Sequence, residues 1–213
     1  MDSHLVLGFV VAGALLSIVP GQDMMFIISN GVVGGRRAGV LSAVGMSTGM
    51  AVHAVAAALG LTALLAAAPA ALQVIRWAGA VVLLYLAVST WLASRRRLLA
   101  PVAADVLPRR SLGRTYVMAV LTNVANPKVI VFYLAFVPQF LTTGAGAWPV
   151  ATQLLVLGGL FIVVGLAVDA TAGLLAGLAS EQIRRHRRVH VWLERASAAV
   201  FGALAVRLVA DTR

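Results

Sequence analysis

The sequence predicts an all-α integral membrane protein with six transmembrane helices. Of its 213 residues, 61% are hydrophobic and only 11% are charged. Six apolar segments are each long enough to cross a hydrocarbon core about 30 Å thick. Most of the 17 basic residues lie in short blocks between these segments. We therefore expect a single transmembrane domain that covers residues 1–213.

The six predicted spans follow one another along the chain, and their charged links alternate with uncharged ones. The spans cover residues 5–30, 38–67, 70–92, 114–140, 149–178 and 191–209. Arginine blocks follow spans 1, 3 and 5, whereas the links at 66–69 and 141–148 carry no charge. The positive-inside rule places arginine-bearing links in the cytoplasm, so both termini are predicted on the outer side. No basic residue precedes the first apolar run, so we expect that run to be a retained span and not a signal peptide.

The longest link divides the chain into two halves of three spans each. The first repeat covers residues 1–93, the cytoplasmic linker 94–113, and the second repeat 114–213. An odd number of spans in each half requires the halves to lie in opposite orientations in the membrane. Pro20 and Pro127 interrupt the first span of each half at corresponding positions, a pattern typical of inverted-repeat transporters. The sequence thus predicts a 3+3 inverted repeat with broken helices 1 and 4.

The first interruption combines a helix breaker with a carboxylate inside an apolar run. Pro20 and Gly21 disfavour a continuous helix, and Asp23 follows them directly. A broken helix and an ionisable group at membrane depth indicate a wet cavity or a substrate pathway. The alternative is structural: Pro20 begins a second half-helix, and Asp23 only complements its positive end.

The second interruption carries two amides and an ammonium group. Asn123 precedes Asn126, Pro127 and Lys128, where Asn126 and Pro127 have the pattern of a helix N-cap and its first residue. The exposed amides of such a helix start, together with Lys128, could hold a carboxylate. Alternatively, Lys128 snorkels or pairs with a carbonyl, and the asparagines satisfy only backbone groups.

His53 and Asp169 are the weaker interior candidates. His53 lies 16 residues beyond Arg37, so we place it about 24 Å along its helix and nearer the outer face than the middle. A hydrogen bond to a neighbouring helix is an alternative to proton carriage for this histidine. The spacings Gly45-xxx-Gly49 and Gly173-xxx-Gly177 indicate close helix packing, within the chain rather than between chains.

Several function classes find no support in the sequence. It has no cysteine, no catalytic or nucleotide-binding motif and no carboxylate-rich cluster, so neither an enzyme, a metal site nor a cofactor is predicted. The net charge of +10 comes from arginines in membrane links, so nucleic-acid binding is not expected.

The motifs together resemble the LysE/RhtB family of bacterial amino-acid exporters. The resemblance covers nearly the whole chain and rests on stretches that occur in order: Pro20-Gly21-Gln22-Asp23, Gly35-Arg36-Arg37-Ala38-Gly39, Gly45-Met46-Ser47-Thr48-Gly49, Asn126-Pro127-Lys128 and Phe136-Val137-Pro138-Gln139-Phe140. It implies a multi-pass exporter of the bacterial inner membrane, driven by the proton gradient, with site residues at Pro20, Gly21, Asp23, Asn126, Pro127 and Lys128. Expected partners are an amino acid, protons and membrane lipid. A homo-oligomer is a further possibility that the sequence does not decide.

Two other functions compete with secondary active export: a passive channel, and a membrane scaffold without a substrate. Two opposed broken helices with opposite charges favour a gated site over an open pore, which would need a polar lining along its length. A zwitterionic amino acid requires an anion for its ammonium group and donors for its carboxylate. Asp23 could supply the first, and also carry the proton, while the second break could supply the donors.

Overall fold

The structure is a computed structural model that describes residues 1–19, 21–68, 71–99, 111–178 and 187–210. Within these ranges the chain is all-helical, with seven α-helices and no strand. The helices are α1 (Ser3–Ile18), α2 (Gln22–Ala67), α3 (Ala71–Leu99), α4 (Leu112–Val124), α5 (Pro127–Val131), α6 (Val150–Leu178) and α7 (Arg187–Ala210).

Three helical stretches of the described chain are long and apolar enough to cross a membrane: Gln22–Leu64, Gln73–Leu92 and Val150–Leu178. A fourth candidate is the pair Leu112–Val124 and Pro127–Phe140, which is bent by 47° at the second interruption. α1 is apolar but has only 16 residues. The structure thus agrees with an all-helical protein that has several membrane-spanning helices, and the six-span order stays a prediction.

α2 is divided by a single non-helical residue, Gly35. Its φ of 78° and ψ of −177° lie in a region that favours glycine. The break separates residues 22–34 from residues 36–67, where the sequence predicts the link between spans 1 and 2. Because only this one residue departs from helical geometry, no loop separates the two segments.

Side-chain caps fix the starts of three helices. Asp2 Oδ1 accepts hydrogen bonds from the amides of His4 and Leu5 at 2.7 and 3.3 Å, at the start of α1. Ser111 Oγ accepts from the Arg114 amide at the start of α4. At α5 the cap is Asn126, with a proline at the first helical position, as the sequence predicts.

The chain beyond α5 stays helical but is irregular. A π-helical turn, Phe132–Phe136, is followed by a 3₁₀ turn, Val137–Phe140. Pro138 accounts for the irregularity, because it lacks an amide donor and its ring disfavours the preceding α-helical turn. α3 also departs from the expectation: it continues to Leu99, into the predicted linker, whose residues 100–110 lie outside the described ranges.

Both glycine pairs lie in helix contacts within the chain. Gly45 and Gly49 let α2 approach α4, since an added Cβ at either position would lie within 2.7 Å of α4 side chains. Gly173 of α6 packs against the backbone of Gly39 in α2, and Gly177 packs against Arg36. α6 thus runs along one side of α2, with α4 also against α2, while α3 pairs with α7.

The N-terminus meets the connection between α5 and α6. The Asp2 amide donates a hydrogen bond to Thr142 Oγ1 at 3.2 Å. Gln153, which is fully buried, bonds both main-chain polar groups of Thr142 and the Trp148 carbonyl at 2.7 to 3.0 Å. The loop at residues 141–149 is therefore held against the start of α6 on the N-terminal side of the molecule.

Candidate functional site

The two interruptions lie against each other. α1 ends at Ile18 and α2 begins at Gln22, with Gly21 in extended conformation, whereas Pro20 lies outside the described residues. A Cβ at Gly21 would lie 3.6 Å from Lys128 Nζ, so the first interruption touches the side chain that follows the second. The two breaks predicted from distant parts of the sequence thus form one junction.

Asp23 is buried in this junction. It lies in the first turn of α2, where the positive end of the helix favours a carboxylate. Its Oδ2 accepts a hydrogen bond from Asn123 Nδ2 at 2.9 Å, and only 6% of the residue is exposed. The Asn126 side chain lies close to the same carboxyl group. Three polar features from three helices therefore converge on Asp23: the start of α2, Asn123 of α4 and the α5 cap Asn126.

Lys128 is also buried, with 8% exposure. Its ammonium group donates a hydrogen bond of 3.4 Å to the carbonyl of Leu16, in the last turn of α1. This carbonyl contact is the one that the structural alternative predicts. The same side chain lies near Asp23 and Asp169, however, so it is enclosed among charges instead of reaching toward a surface.

A small cavity joins these charged groups. It has a volume of about 20 Å³, and its polar lining comes from Ser17, Asp23, Lys128 and Asp169. Asp169 lies on α6 with 7% exposure, so a third helix brings a second carboxylate to the junction. Such a volume is sufficient for about one water molecule, and an amino acid would require the helices to move apart.

Three buried polar atoms at the junction have no hydrogen-bond partner among the described residues: Asp23 Oδ1, Asn123 Oδ1 and Asn126 Nδ2. Buried polar groups are normally paired, and unpaired ones are costly. The side-chain oxygen of Asn126 does have a partner, because it accepts a hydrogen bond from the Lys128 amide at 3.0 Å. The junction therefore retains two acceptors, Asp23 Oδ1 and Asn123 Oδ1, and one donor, Asn126 Nδ2, that a polar ligand could engage.

His53 lies beside the second interruption and not toward an end of its helix. Its Nε2 is 3.3 Å from the Asn123 carbonyl, and its ring stacks on Tyr133 with centroids 5.9 Å apart. The sequence-based depth estimate differs because it counted from Arg37 as a membrane edge. In the structure the second segment of α2 covers residues 36–67, so position 53 is near its middle.

The cavity is closed on its two sides by different kinds of packing. Toward the N-terminal side, six aromatic rings from α1, α6 and the irregular helix pack together: Phe9, Phe132, Tyr133, Phe136, Phe140 and Phe161. Toward Gly35, α2 and α6 meet through the backbones of Gly39 and Gly173. We refer to these as the aromatic closure and the glycine closure.

The sequence identified Asp23, Asn123, Asn126 and Lys128 as site residues, and the structure brings these four together. It also adds residues that the sequence did not indicate: Ser17, Met50, Phe161 and Gly165 line the same cavity. Ser17 had a detectable signal, since it is a polar residue just before Pro20 in an apolar run. The other three are indistinguishable from ordinary core residues.

No cluster of three or more potential metal ligands occurs among the residues that the structure describes. An all-helical chain with long apolar helices, two interrupted helices in contact and buried charges at their junction has the features of a membrane transporter. A family profile described as "LysE type translocator" matches residues 14–212. This chain belongs to the LysE translocator family, which confirms the resemblance. Members of the family are translocators and not enzymes.

Three relatives illustrate the range of the family. An uncharacterized membrane protein of Vibrio cholerae is 36% identical over 158 residues, which cover 74% of each chain. A homoserine/homoserine lactone efflux protein of Salmonella typhimurium is 32% identical and covers 75% of this chain and 74% of its own length. A leucine efflux protein of Salmonella choleraesuis is 28% identical, with 72% and 78% covered. No solved structure matches the chain significantly.

Proposed function

We propose that this protein exports amino acids or amino-acid derivatives across the bacterial inner membrane in exchange for protons. The main support is the junction of two interrupted helices, where Asp23, Asn123, Asn126 and Lys128 are buried together. Family membership and the efflux activities named for two relatives give the substrate class. An ion gradient is the energy source because the sequence contains no nucleotide-binding motif, and the family resemblance implies that the ion is a proton.

The site fits a zwitterion in a simple way. Asp23 is the anionic partner for the substrate's ammonium group, and its unpaired Oδ1 is free to accept from it. Lys128 and the unpaired Asn126 Nδ2 are the donors for the carboxylate. Pro20, Gly21 and Pro127 act indirectly, by preventing the helices from closing over these groups.

We further propose six spans in a 3+3 inverted repeat. In this arrangement α1 with residues 22–34 forms the first span, residues 36–67 the second, and α3 the third. α4 with residues 127–140 forms the fourth, followed by α6 and α7. The contact between the two interruptions supports this assignment, because a pseudo-two-fold axis in the membrane plane would bring the first span of each half together at the centre.

A passive channel and a scaffold are less consistent with these observations. The aromatic closure fills the space between the cavity and the N-terminal side with rings, and a pore would need a polar lining there. A scaffold would not need a lysine and two aspartates in one cavity. Buried charges cost free energy, and ionisable groups inside membrane spans are typical of functional sites.

Efflux from preloaded vesicles tests the proposal. Purified protein would be reconstituted and loaded with labelled amino acids, including L-leucine, L-homoserine and homoserine lactone. We expect efflux of at least one of them. An inward proton gradient should accelerate it, and a protonophore should return it to the rate measured without a gradient. Asp23→Asn should reduce efflux to the level of protein-free vesicles. Efflux that ignores the pH gradient would indicate a channel, and none with any amino acid or dipeptide of a broad panel would indicate a scaffold.

A further inference from the structure

The proposed site leaves one buried carboxylate without a role. Asp169 lies within α6, in the same cavity as Asp23 and Lys128, and only 7% of it is exposed. Its side chain makes no hydrogen bond to any described residue. A second carboxylate beside an anionic group adds repulsion and desolvation cost, so its presence in the cavity requires an explanation.

The charges of the cavity do not balance. Two carboxylates and one ammonium group leave a net charge of −1 when all three are ionised. A net charge in a closed, water-poor cavity is costly, and one added positive charge removes it. A proton can provide that charge. A zwitterionic substrate adds no net charge, but its ammonium group lies toward the carboxylates and its carboxylate toward Lys128, so the ammonium group and a proton on Asp169 repel each other.

The two carboxylates differ in what surrounds them. Asp23 lies at the positive end of a helix, accepts a hydrogen bond from Asn123 and has the Asn126 amide nearby, so polar groups surround it. Asp169 is inside a helix, where no dipole end supports it. The charged groups that face Asp169 are Lys128 from α5 and Asp23 from α2, and α1 presents only Ser17.

We propose that Asp169 carries the proton that is exchanged for the substrate, while Asp23 holds the substrate's ammonium group. This inference rests on the proposed function. The step is one protonation: an oxygen of the Asp169 carboxylate takes a proton from the outer side and later releases it to the cytoplasm. No other bond forms or breaks. Each proton moves inward as one ammonium group moves outward, so the two occupy the cavity alternately.

The order of events follows from this repulsion. A proton that reaches Asp169 from outside neutralises the cavity, which weakens the attraction for the ammonium group and releases the substrate outward. The neutral, protonated cavity can then close and open inward. There an arriving ammonium group pairs with Asp23 and favours loss of the proton from Asp169. One proton is exchanged for one substrate, so export of a zwitterion carries one positive charge inward.

Asp169→Asn separates proton carriage from binding. With L-homoserine as the probe, or L-leucine if the wild type does not carry homoserine, two rates would be measured. One is efflux with and without a pH gradient, and the other is exchange of labelled for unlabelled substrate at equal pH. We expect exchange within roughly twofold of wild type, with little change between roughly pH 6 and 8, and no acceleration by the gradient. Asp169→Glu should restore the acceleration.

Asp2→Asn is the matched control, because it removes a carboxylate outside the cavity and asparagine caps a helix about as well as aspartate. It should behave as wild type in both assays. Gradient-driven acceleration that survives in Asp169→Asn overturns the inference. Loss of exchange in both Asp169 variants also overturns it, and assigns the residue to binding or folding. A wild type with proton-coupled transport that persists in Asp169→Asn rejects this inference alone, whereas a wild type without proton-coupled transport of any amino acid rejects the proposed function.

Discussion

The ammonium group of Lys128 donates a hydrogen bond to a main-chain carbonyl of α1 and lies near the carboxylates of Asp23 and Asp169. Lys128 can turn toward an incoming carboxylate only if that hydrogen bond breaks. Its contribution should therefore depend on whether the substrate has a free carboxylate. Homoserine and its lactone differ in that group, since the lactone closes the carboxyl into an ester while the ammonium group is retained.

We predict that Lys128→Ala weakens binding of L-homoserine more than binding of homoserine lactone. A hydrogen bond to a charged group contributes about 1.5–3 kcal/mol, so the apparent affinity for homoserine should fall by roughly ten- to a hundredfold. Competition against labelled exchange measures both ligands, and L-leucine with leucinamide provides a second pair. Lys128→Arg should retain part of the discrimination. An equal loss for both ligands would show that Lys128 balances charge without touching the substrate.

At the residue level, the sequence predicted candidate site residues where a local pattern made a residue unusual. Asn126 precedes a proline and Asp23 follows one, and a proline interrupts a helix or begins a new one. Asp169 has no such neighbour. It belongs to a helix that is apolar on all sides, so no hydrophobic face shows which way the carboxylate points. Only packing against α2 brings it into the cavity.

The second interruption is an element-level feature that depends on one proline. Pro127→Ala supplies a backbone donor at position 127 and removes the ring, so the helix can continue from α4. We predict slower exchange, by roughly tenfold, together with a higher melting temperature in detergent. Pro149→Ala is the control, since this proline is exposed at the start of α6 and should change neither quantity. A Pro127 variant with unchanged exchange would remove the break from the mechanism.

The contact between α2 and α4 gives a second prediction at this scale. A Cβ at Gly49 would lie 2.7 Å from both Cβ and Oδ1 of Asn123, whereas Gly60 on the same helix has no atom within 4 Å. Gly49→Ala should therefore destabilise by about 1–3 kcal/mol and displace the partner of Asp23. Gly60→Ala shares the gain in helix propensity without the clash, so it should be neutral or slightly stabilising. Thermal unfolding in detergent and exchange rates measure both effects, and similar behaviour of the two variants would contradict the packing argument.

Element boundaries were the least predictable part of the fold. The cap at Asn126 and the two interruptions could be read from local chemistry, and the structure has them where expected. The bend at Gly35 could not, because a glycine in an apolar helix is compatible with either helical or left-handed backbone. The π-helical turn before Pro138 has a signal in that proline, but its form depends on how the surrounding rings pack.

For the whole molecule, arginine placement leads to a topology prediction. With the arginine-bearing links in the cytoplasm, a phosphatase fused after Thr212 should be active outside it, and one inserted at Ala103 should be inactive. The Asp2–Thr142 hydrogen bond supports a common side for the N-terminus and the uncharged loop at 141–149. The reverse pattern of activities would reject both the orientation and the inverted repeat.

The two closures differ in the kind of motion that opens each one. Aromatic side chains can swing aside individually when their neighbours give room, whereas two backbones in contact part only if whole helices separate, over microseconds to milliseconds. Access from the N-terminal side thus depends on local fluctuations, and access past Gly39 and Gly173 on collective movement of α2 against α6. The second step should limit turnover, and it is the step that a stiffer or thicker lipid bilayer would slow.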